Sequence, residues 1–267
     1  MSNLIGHCGI LINTCPKYKQ FAINQCILIR RYAKDLKWPV YLASSELTLE
    51  EITELISLHI LIIAQTPEEN LDFVESRIHA LKILEKKHEF VLLLQDDFML
   101  DRDIDYASLS ETILMMIYNR NIPCVRLMPC PRPTGPVFKE KWQLVDPEEE
   151  CYFSFQAAIW STSWVRRFFE AVIIKSEPLY KQYTEYTNYT RNQFWLYKNP
   201  CEREIGCEVA KELLAGGHFV GYPRAGNWSN AVYLSPWPYR PTAIEKGVVQ
   251  EFAKELLQRE GLPYKSE

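Results

Sequence analysis

The chain has 267 residues, 47% of them hydrophobic and 24% charged, enough to bury a full core and a length that suits one compact domain better than two. A net charge of −4 offers no clustered Lys and Arg with which to track phosphates, which argues against nucleic acid as a partner. No apolar run approaches the roughly 18 residues that cross a bilayer and Met1 to Ile12 contains no basic leader, so a soluble cytoplasmic protein without a transmembrane segment is expected.

Ile10-Leu11-Ile12 reads as a short buried strand that ends in Asn13-Thr14-Cys15-Pro16. Tyr18, Phe21, Leu28, Tyr32 and Leu36 then recur at helical spacing. Pro39 to Ala43 begins a second strand, closed by Ser44-Ser45-Glu46, and Thr48 with Glu51 forms a capping box for a short helix. Ile60 to Ala64 is a third strand ending at Gln65. Leu71, Val74, Ile78 and Leu81 mark a helix with Asn70 as the expected cap, and Phe90 to Leu94 is a continuous apolar run of the kind covered on both faces. Short apolar strands alternating with helices predict an α/β fold with a parallel, doubly wound sheet through residue 95.

The second half reads differently. Ser108 with Glu111 predicts a capped helix carrying Leu109, Ile113 and Met116. Pro123 to Pro147 is proline-dense and predicts loop with one edge strand. Tyr152 to Trp160 predicts a strand, Ser161 to Ile174 a helix, and Tyr180 to Tyr197 an aromatic stretch among polar neighbours. A helix from about Arg203 to Leu214 ends at Gly216-Gly217, Phe219 to Tyr222 is a strand, and Val248, Phe252 and Leu256 share one face of a final helix. The eight cysteines show no CxxC pair and no zinc spacing, so they read as buried or free thiols.

In open parallel sheets, ligands sit beyond the carboxyl ends of the strands. Those ends are Thr14, Ser45, Gln65 and Gln95-Asp96-Asp97. A strand that delivers two adjacent carboxylates from a dry core to its rim needs a counter-charge, and a hard divalent cation, Mn2+ or Mg2+, supplies it with open positions left for diphosphate oxygens. Two aspartates are equally able to end a strand as ordinary turn formers.

Phe90 to Phe98, with Gln95-Asp96-Asp97 at its end, resembles the acidic DxD-like signature of GT-A glycosyltransferases. Ile12-Asn13-Thr14 is similar to their first strand and nucleotide-contacting turn, and Ser76-Arg77 to the place where they set a basic residue towards the donor. The resemblance spans about residues 9 to 225 in order and implies a GT-A type Rossmann-like sheet, mostly parallel and flanked by helices, in a single domain over 1–267. Residues 1–105 would form the nucleotide-sugar-binding half, and 106–267 the acceptor-binding half with a C-terminal helix. By the same resemblance Asp97 ligates the metal, while Asp96 and Gln95 lie near the ribose and diphosphate; Gln95 stands where an acidic residue is usual.

Glu204 to Pro223 resembles the segment of inverting enzymes in which an acidic residue at a helix start precedes a Leu-rich turn, a Gly and a short strand, although Glu212 replaces the usual Arg. Glu204 and Glu208 stand one helical turn apart, and either would serve as the base that takes the acceptor proton, Glu204 being favoured by the helix dipole. Phe153 to Trp160 resembles the strand beside donor sugar and acceptor, where Ala158 would let a sugar approach the backbone and Trp160 would stack on it. Trp160 is equally readable as a core tryptophan. Trp195, with Tyr183, Tyr186 and Tyr189, forms a candidate acceptor rim, Arg224 a candidate diphosphate clamp, and His218 a distant candidate metal ligand.

The function expected is metal-dependent transfer of a sugar from a UDP- or GDP-linked nucleoside diphosphate sugar to a glycan hydroxyl, with inversion. A sugar nucleotidyltransferase is the enzymatic alternative, though Asn13 to Lys17 lacks the Gly-rich turn it would need, and a catalytically silent carbohydrate-binding protein of the same fold is another.

Overall fold

A computed structural model describes residues 6–65, 71–129, 132–149, 151–223, 235–245 and 247–264. The four apolar runs of the first half become β1 (Cys8–Asn13), β2 (Val40–Ser44), β3 (Ile60–Ala64) and β4 (Phe90–Gln95). Helices α1 (Lys19–Tyr32), α2 (Leu49–Ser57) and α3 (Phe73–Leu84) connect them. All four strands are parallel, in the order β3-β2-β1-β4, so the chain winds outward from β1 in one direction and then crosses to its other side to lay down β4. The register pairs Asn13 with Gln95, and the residues that follow, Thr14 and Asp96, therefore leave the two strands side by side.

The second half extends the same sheet. After α4 (Tyr106–Tyr118) come β5 (Cys124–Arg126), β6 (Val137–Phe138), β7 (Trp142–Leu144) and β8 (Ala158–Ser161). Helices α5 (Thr162–Tyr186), α6 (Arg191–Lys198) and α7 (Glu204–Leu214) follow, then β9 (Phe219–Gly221). A hairpin of β10 (Ile244–Glu245) and β11 (Val248–Val249) precedes α8 (Glu251–Glu260). Among the described residues the sheet has nine strands in the order β3-β2-β1-β4-β8-β5-β9-β7-β6, and all but β8 and β7 run in one direction. This is a mixed α/β fold around a large, mostly parallel sheet flanked by helices.

Alternation along the strands sorts their side chains to two faces. Ile10, Ile12, Leu92 and Leu94 pack with α1, α4 and α8, whereas Leu11 and Val91 pack with α3, α5 and α7. The second face holds a block of aromatic rings: Phe153 stacks on Phe168 at 3.9 Å between ring centres and on Trp160 at 5.1 Å. Trp160 in turn stacks on Trp164 at 5.7 Å.

Several local expectations are corrected. The cap of α3 is Asp72, which accepts from Val74 and Glu75 and forms a box with Glu75; Asn70 lies outside the described residues. Helix α4 starts earlier than Ser108 because the Asp105 carboxylate, a stronger acceptor than a hydroxyl, takes the Ser108 amide at 3.0 Å. The proline-dense stretch holds three short strands rather than one. Of the 152–160 run only residues 158–160 join the sheet, in a strand that ends at Ser161, because the Cys151 and Tyr152 carbonyls accept instead from the buried Arg126 guanidinium at 2.7 and 2.6 Å. Helix α5 runs past Ile174 through Pro178; the carbonyl this proline leaves without a donor belongs to Ile174, which is 73% exposed and so reaches water. Val248 belongs to β11, and the last helix starts at Glu251. The Thr48–Glu51 capping box forms as expected.

Candidate active site

The point where the winding reverses, between the carboxyl ends of β1 and β4, is the crevice in which open α/β sheets place their ligands. There the Thr14 hydroxyl donates to Asp96 Oδ2 at 2.8 Å. Burial and the adjacent Asp97 push the Asp96 carboxyl up to about 7, against the opposing pull of Thr14 and of Arg77. Burial likewise pushes Asp97 up to about 6, although the backbone amides of Ile244 and Ala243 favour its charged form. The Ile244 amide approaches Asp97 Oδ2 at 3.4 Å, so the segment entering the β10–β11 hairpin closes over the second carboxylate. Two half-buried carboxylates therefore stand side by side without a full counter-charge.

Arg77, on the second turn of α3, faces the same crevice. Only 4% of it is exposed, its Nη1 donates to the Phe73 carbonyl at 2.9 Å, and its guanidinium lies 3.6 Å from the centre of the Phe73 ring. Burial pulls it down to about 10, and Asp96, the largest opposing influence, holds it up. A narrow cleft runs from Arg77 past Asn13 and Gln95 to Ser154, Phe155 and Gln156. Asn13 donates to Ser76 Oγ at 2.7 Å, while its own buried Oδ1 has no hydrogen-bond partner among the described residues. Gln65, at the end of β3, is tied to the Ser76 hydroxyl and carbonyl at 2.9 and 3.0 Å, which makes it a brace for Asn13. Ser45 is half-buried in the turn after β2, where the Ser44 hydroxyl donates to its carbonyl.

The acceptor-side residues fall in different surroundings. Ala158 is fully buried in β8, paired with Leu93 and Arg126. Trp160 is 2% exposed and sits between the Phe153 and Trp164 rings; Trp195 is 4% exposed and donates its Nε1 to Asp72 Oδ2 at 2.7 Å. Trp160 thus reaches the inner wall of the cleft as part of the aromatic block, whereas Trp195 belongs to the packing behind it. Helix α7 descends to β9, so its first turn points to the carboxyl edge of the sheet and carries the exposed Glu204 there. Glu208, one turn on, lies 3.6 Å from Lys175 of α5. His218 precedes β9 and donates its amide to Asn121, at the opposite edge of the sheet from Asp97. Arg224 lies outside the described residues.

Two features escaped the sequence reading. Glu202, in the turn before α7, accepts from the Phe155 amide at 2.6 Å and from Asn199 at 2.7 Å, pinning a cleft residue to the start of α7. Tyr239 donates to Gln156 at 2.7 Å, accepts from the Ala157 amide at 3.0 Å and stacks on Phe98 at 4.6 Å, so a residue far along the chain ties the loop after Asp97 to the cleft wall. Nothing in the local pattern around either residue marks these contacts.

Among the described residues no group of three His, Cys, Asp or Glu side chains could hold a metal, and none of the helices is long and apolar enough to cross a membrane. The donor chemistry at Asp96 and Asp97 nevertheless fits a hard divalent ion, since both offer carboxylate oxygens whose charge is uncompensated and such ions accept water and phosphate oxygens for their remaining positions.

No protein-family model matches the chain, and no curated protein matches it in sequence. Among solved structures it is similar to residues 1–349 of TarS from S. aureus in complex with UDP, at 13% identity and a TM-score of 0.41 over 60% of this chain and 48% of that one. It is similar to a cytidylyltransferase from Leptospira borgpetersenii, at 11% identity and a TM-score of 0.45 over 97% and 98% of the two chains. It is also similar to glucosyl-3-phosphoglycerate synthase from Mycobacterium tuberculosis in complex with Mn2+, UDP and glucosyl-3-phosphoglycerate, at 7% identity and a TM-score of 0.35 over 59% and 57%. The chain spans about half the length of the TarS fragment.

Proposed function

We propose that the chain is a nucleotide-sugar-dependent glycosyltransferase whose donor diphosphate lies over Asp96 and Asp97. The observation that carries this reading is the meeting of Thr14 with Asp96 at the winding reversal, with Asp97 adjacent, both carboxyls pushed up by burial, and the buried Arg77 acting on Asp96. Asp97, with Asp96 beside it, would hold Mn2+ or Mg2+; a bound ion of that kind offsets the negative charge that grows on a departing nucleoside diphosphate.

The chain's own residues supply the rest. Thr14 fixes the Asp96 carboxylate at the rim, and the amide of Ile244 orients that of Asp97. Arg77 brings a positive charge into a site that excludes water, where it acts on a phosphate more strongly than at the surface. Asn13 Oδ1 provides a buried acceptor for a donor N–H, held by the Ser76–Gln65 brace, with Ser45 and Gln95 along the same rim. Ala158 and Trp195 shape the acceptor side from behind, and Trp160 from the inner wall of the cleft. Glu204, at the carboxyl edge of the sheet and in the first turn of α7, takes the acceptor proton in an inverting displacement, and Glu208 is its alternate.

Calorimetry with UDP and Mn2+ should show metal-dependent binding to the wild type and none to Asp97→Ala. Equal binding by both removes the metal site. Turnover across a panel of nucleotide sugars should fall by about a hundredfold or more in Glu204→Gln. Release of pyrophosphate from a nucleoside triphosphate and a sugar phosphate, in place of nucleoside diphosphate release from a nucleotide sugar, would instead make the enzyme a nucleotidyltransferase.

A further inference from the structure

A second cavity, of about 310 Å³, lies apart from the cleft, between the loop after β4, the segment entering β10 and helix α8. This is the lower end of the size range of small-molecule sites. Its floor is apolar: Met99, Ala243 and Leu256 are buried, and Phe252 is half-buried. Arg102, Arg240 and Arg259 all line it, in a chain whose net charge is −4.

The arginines come from three separated stretches of sequence and are held in place by their surroundings. Arg102 Nε donates to the Asp101 carboxylate at 3.0 Å. Arg259 Nη2 donates to the Asp101 carbonyl at 2.9 Å and to the Tyr32 hydroxyl at 3.2 Å, and its Nε to Glu260 at 2.9 Å. Asp101 is thus a pivot that sets two guanidinium groups side by side. The Arg240 guanidinium lies 5.4 Å from the centre of the Phe252 ring. Guanidinium groups gathered over an apolar floor suit a phosphate monoester, whose oxygens accept forked N–H pairs. Glu255 at the rim adds an acceptor for ligand hydroxyls.

We infer that this cavity is a binding site for a small polyol phosphate, distinct from the proposed donor cleft. The inference does not rest on the glycosyltransferase reading, because none of the residues lining the Arg77 cleft lines the cavity, and Ala243, which also approaches Asp97, enters only through its apolar side chain on the floor. The shared chemistry is a phosphomonoester, free or as the headgroup of a lipid. Both sources are testable in buffer containing a chelator, which withdraws any cation from Asp96 and Asp97.

Titration calorimetry with glycerol 3-phosphate and cosedimentation with phosphatidylcholine vesicles carrying phosphatidic acid would be run on the full chain. The panel comprises the wild type, Arg102→Gln/Arg240→Gln and Arg77→Gln, with melting curves to establish that each variant is folded. Both paired substitutions fall on exposed side chains, and Arg259 is left intact because it ties Asp101 to Tyr32. We expect binding of at least one probe to weaken about tenfold or more in the double variant and to persist in Arg77→Gln. Binding of glycerol 3-phosphate identifies a soluble ligand, and binding of the vesicles alone identifies a lipid headgroup. Absence of wild-type binding to both probes overturns the inference, and so does a double variant that binds as the wild type does.

Discussion

Asp96→Asn should make the metal-free protein more stable. An unperturbed aspartate ionises near about 3.9, so a carboxyl that ionises only near 7 costs the folded state about 4 kcal/mol once it is charged in both states. Asp96 is half-buried rather than sealed, and solvent screening reduces that to about 2 kcal/mol. The sign follows from the raised value: the contribution of Asp96 is favourable below about 3.9 and is lost as pH rises through 7. Asparagine keeps an oxygen for the Thr14 hydroxyl and carries no charge, so it recovers the loss. In chelator at pH about 8, thermal melts followed by circular dichroism should place the variant about 4–8 °C above the wild type, at roughly 2–4 °C per kcal/mol for a chain of this size. At pH about 5 the gain should shrink to about 2 °C. Saturating Mn2+ should raise the wild type and narrow the difference. A variant no more stable than the wild type at pH about 8, or one whose gain is the same at both pH values, refutes the reasoning.

His88 should act in the opposite sense. Burial, with help from Lys87, holds its imidazole below the usual range while it bonds the Tyr41 hydroxyl at 2.8 Å, so its stabilisation is present above about 6.5 and is lost as the medium becomes more acid. Urea midpoints at neutral and at mildly acid pH, taken as the difference between wild type and His88→Gln, should converge on acidification; a constant difference is the contrary result. Gly206→Ala should be severe, because a Cβ there would fall 1.7 Å from the Cys201 carbonyl oxygen, and displacing that turn should cost about 3 kcal/mol or more by denaturant melts. Arg126→Met should cost about 3–5 kcal/mol, since it strips the Cys151 and Tyr152 carbonyls of their donor and removes the ion pair with Glu149. A loss below about 1 kcal/mol would mean that water serves those carbonyls.

What the sequence discloses follows burial. Strands β1, β2 and β4 are covered on both faces, so each reads as an apolar run, and the Asp96–Asp97 pair is conspicuous because it ends one. The parallel order and the meeting of Thr14 with Asp96 then follow from the rule for winding reversals. Beyond residue 120 the same reading weakens, since β5 to β9 are two to four residues long and carry too few side chains for a period. Trp160 shows a different limit: a tryptophan that stacks on sugar and one that stacks on Phe153 have the same local sequence. Caps are decided by competition between neighbouring side chains, as at Asp105 and Ser108, and residue type alone did not rank them. Contacts made across the whole chain, such as those of Tyr239 with Gln156 or of Arg259 with Asp101, leave no periodic trace at all.

The position of β8 has a consequence for dissecting the molecule. Because β8 runs antiparallel along β4 and also carries β5, the edge of β4 that faces away from β1 is paired by residues that lie more than sixty positions later. A truncated polypeptide stopping at residue 105 would expose a row of amides and carbonyls along a strand of mostly apolar residues, a template for adding further copies of itself. Expressed alone, such a piece should precipitate or assemble into strand-paired multimers, and supplying residues 106–267 in trans should rescue it by capping that rim.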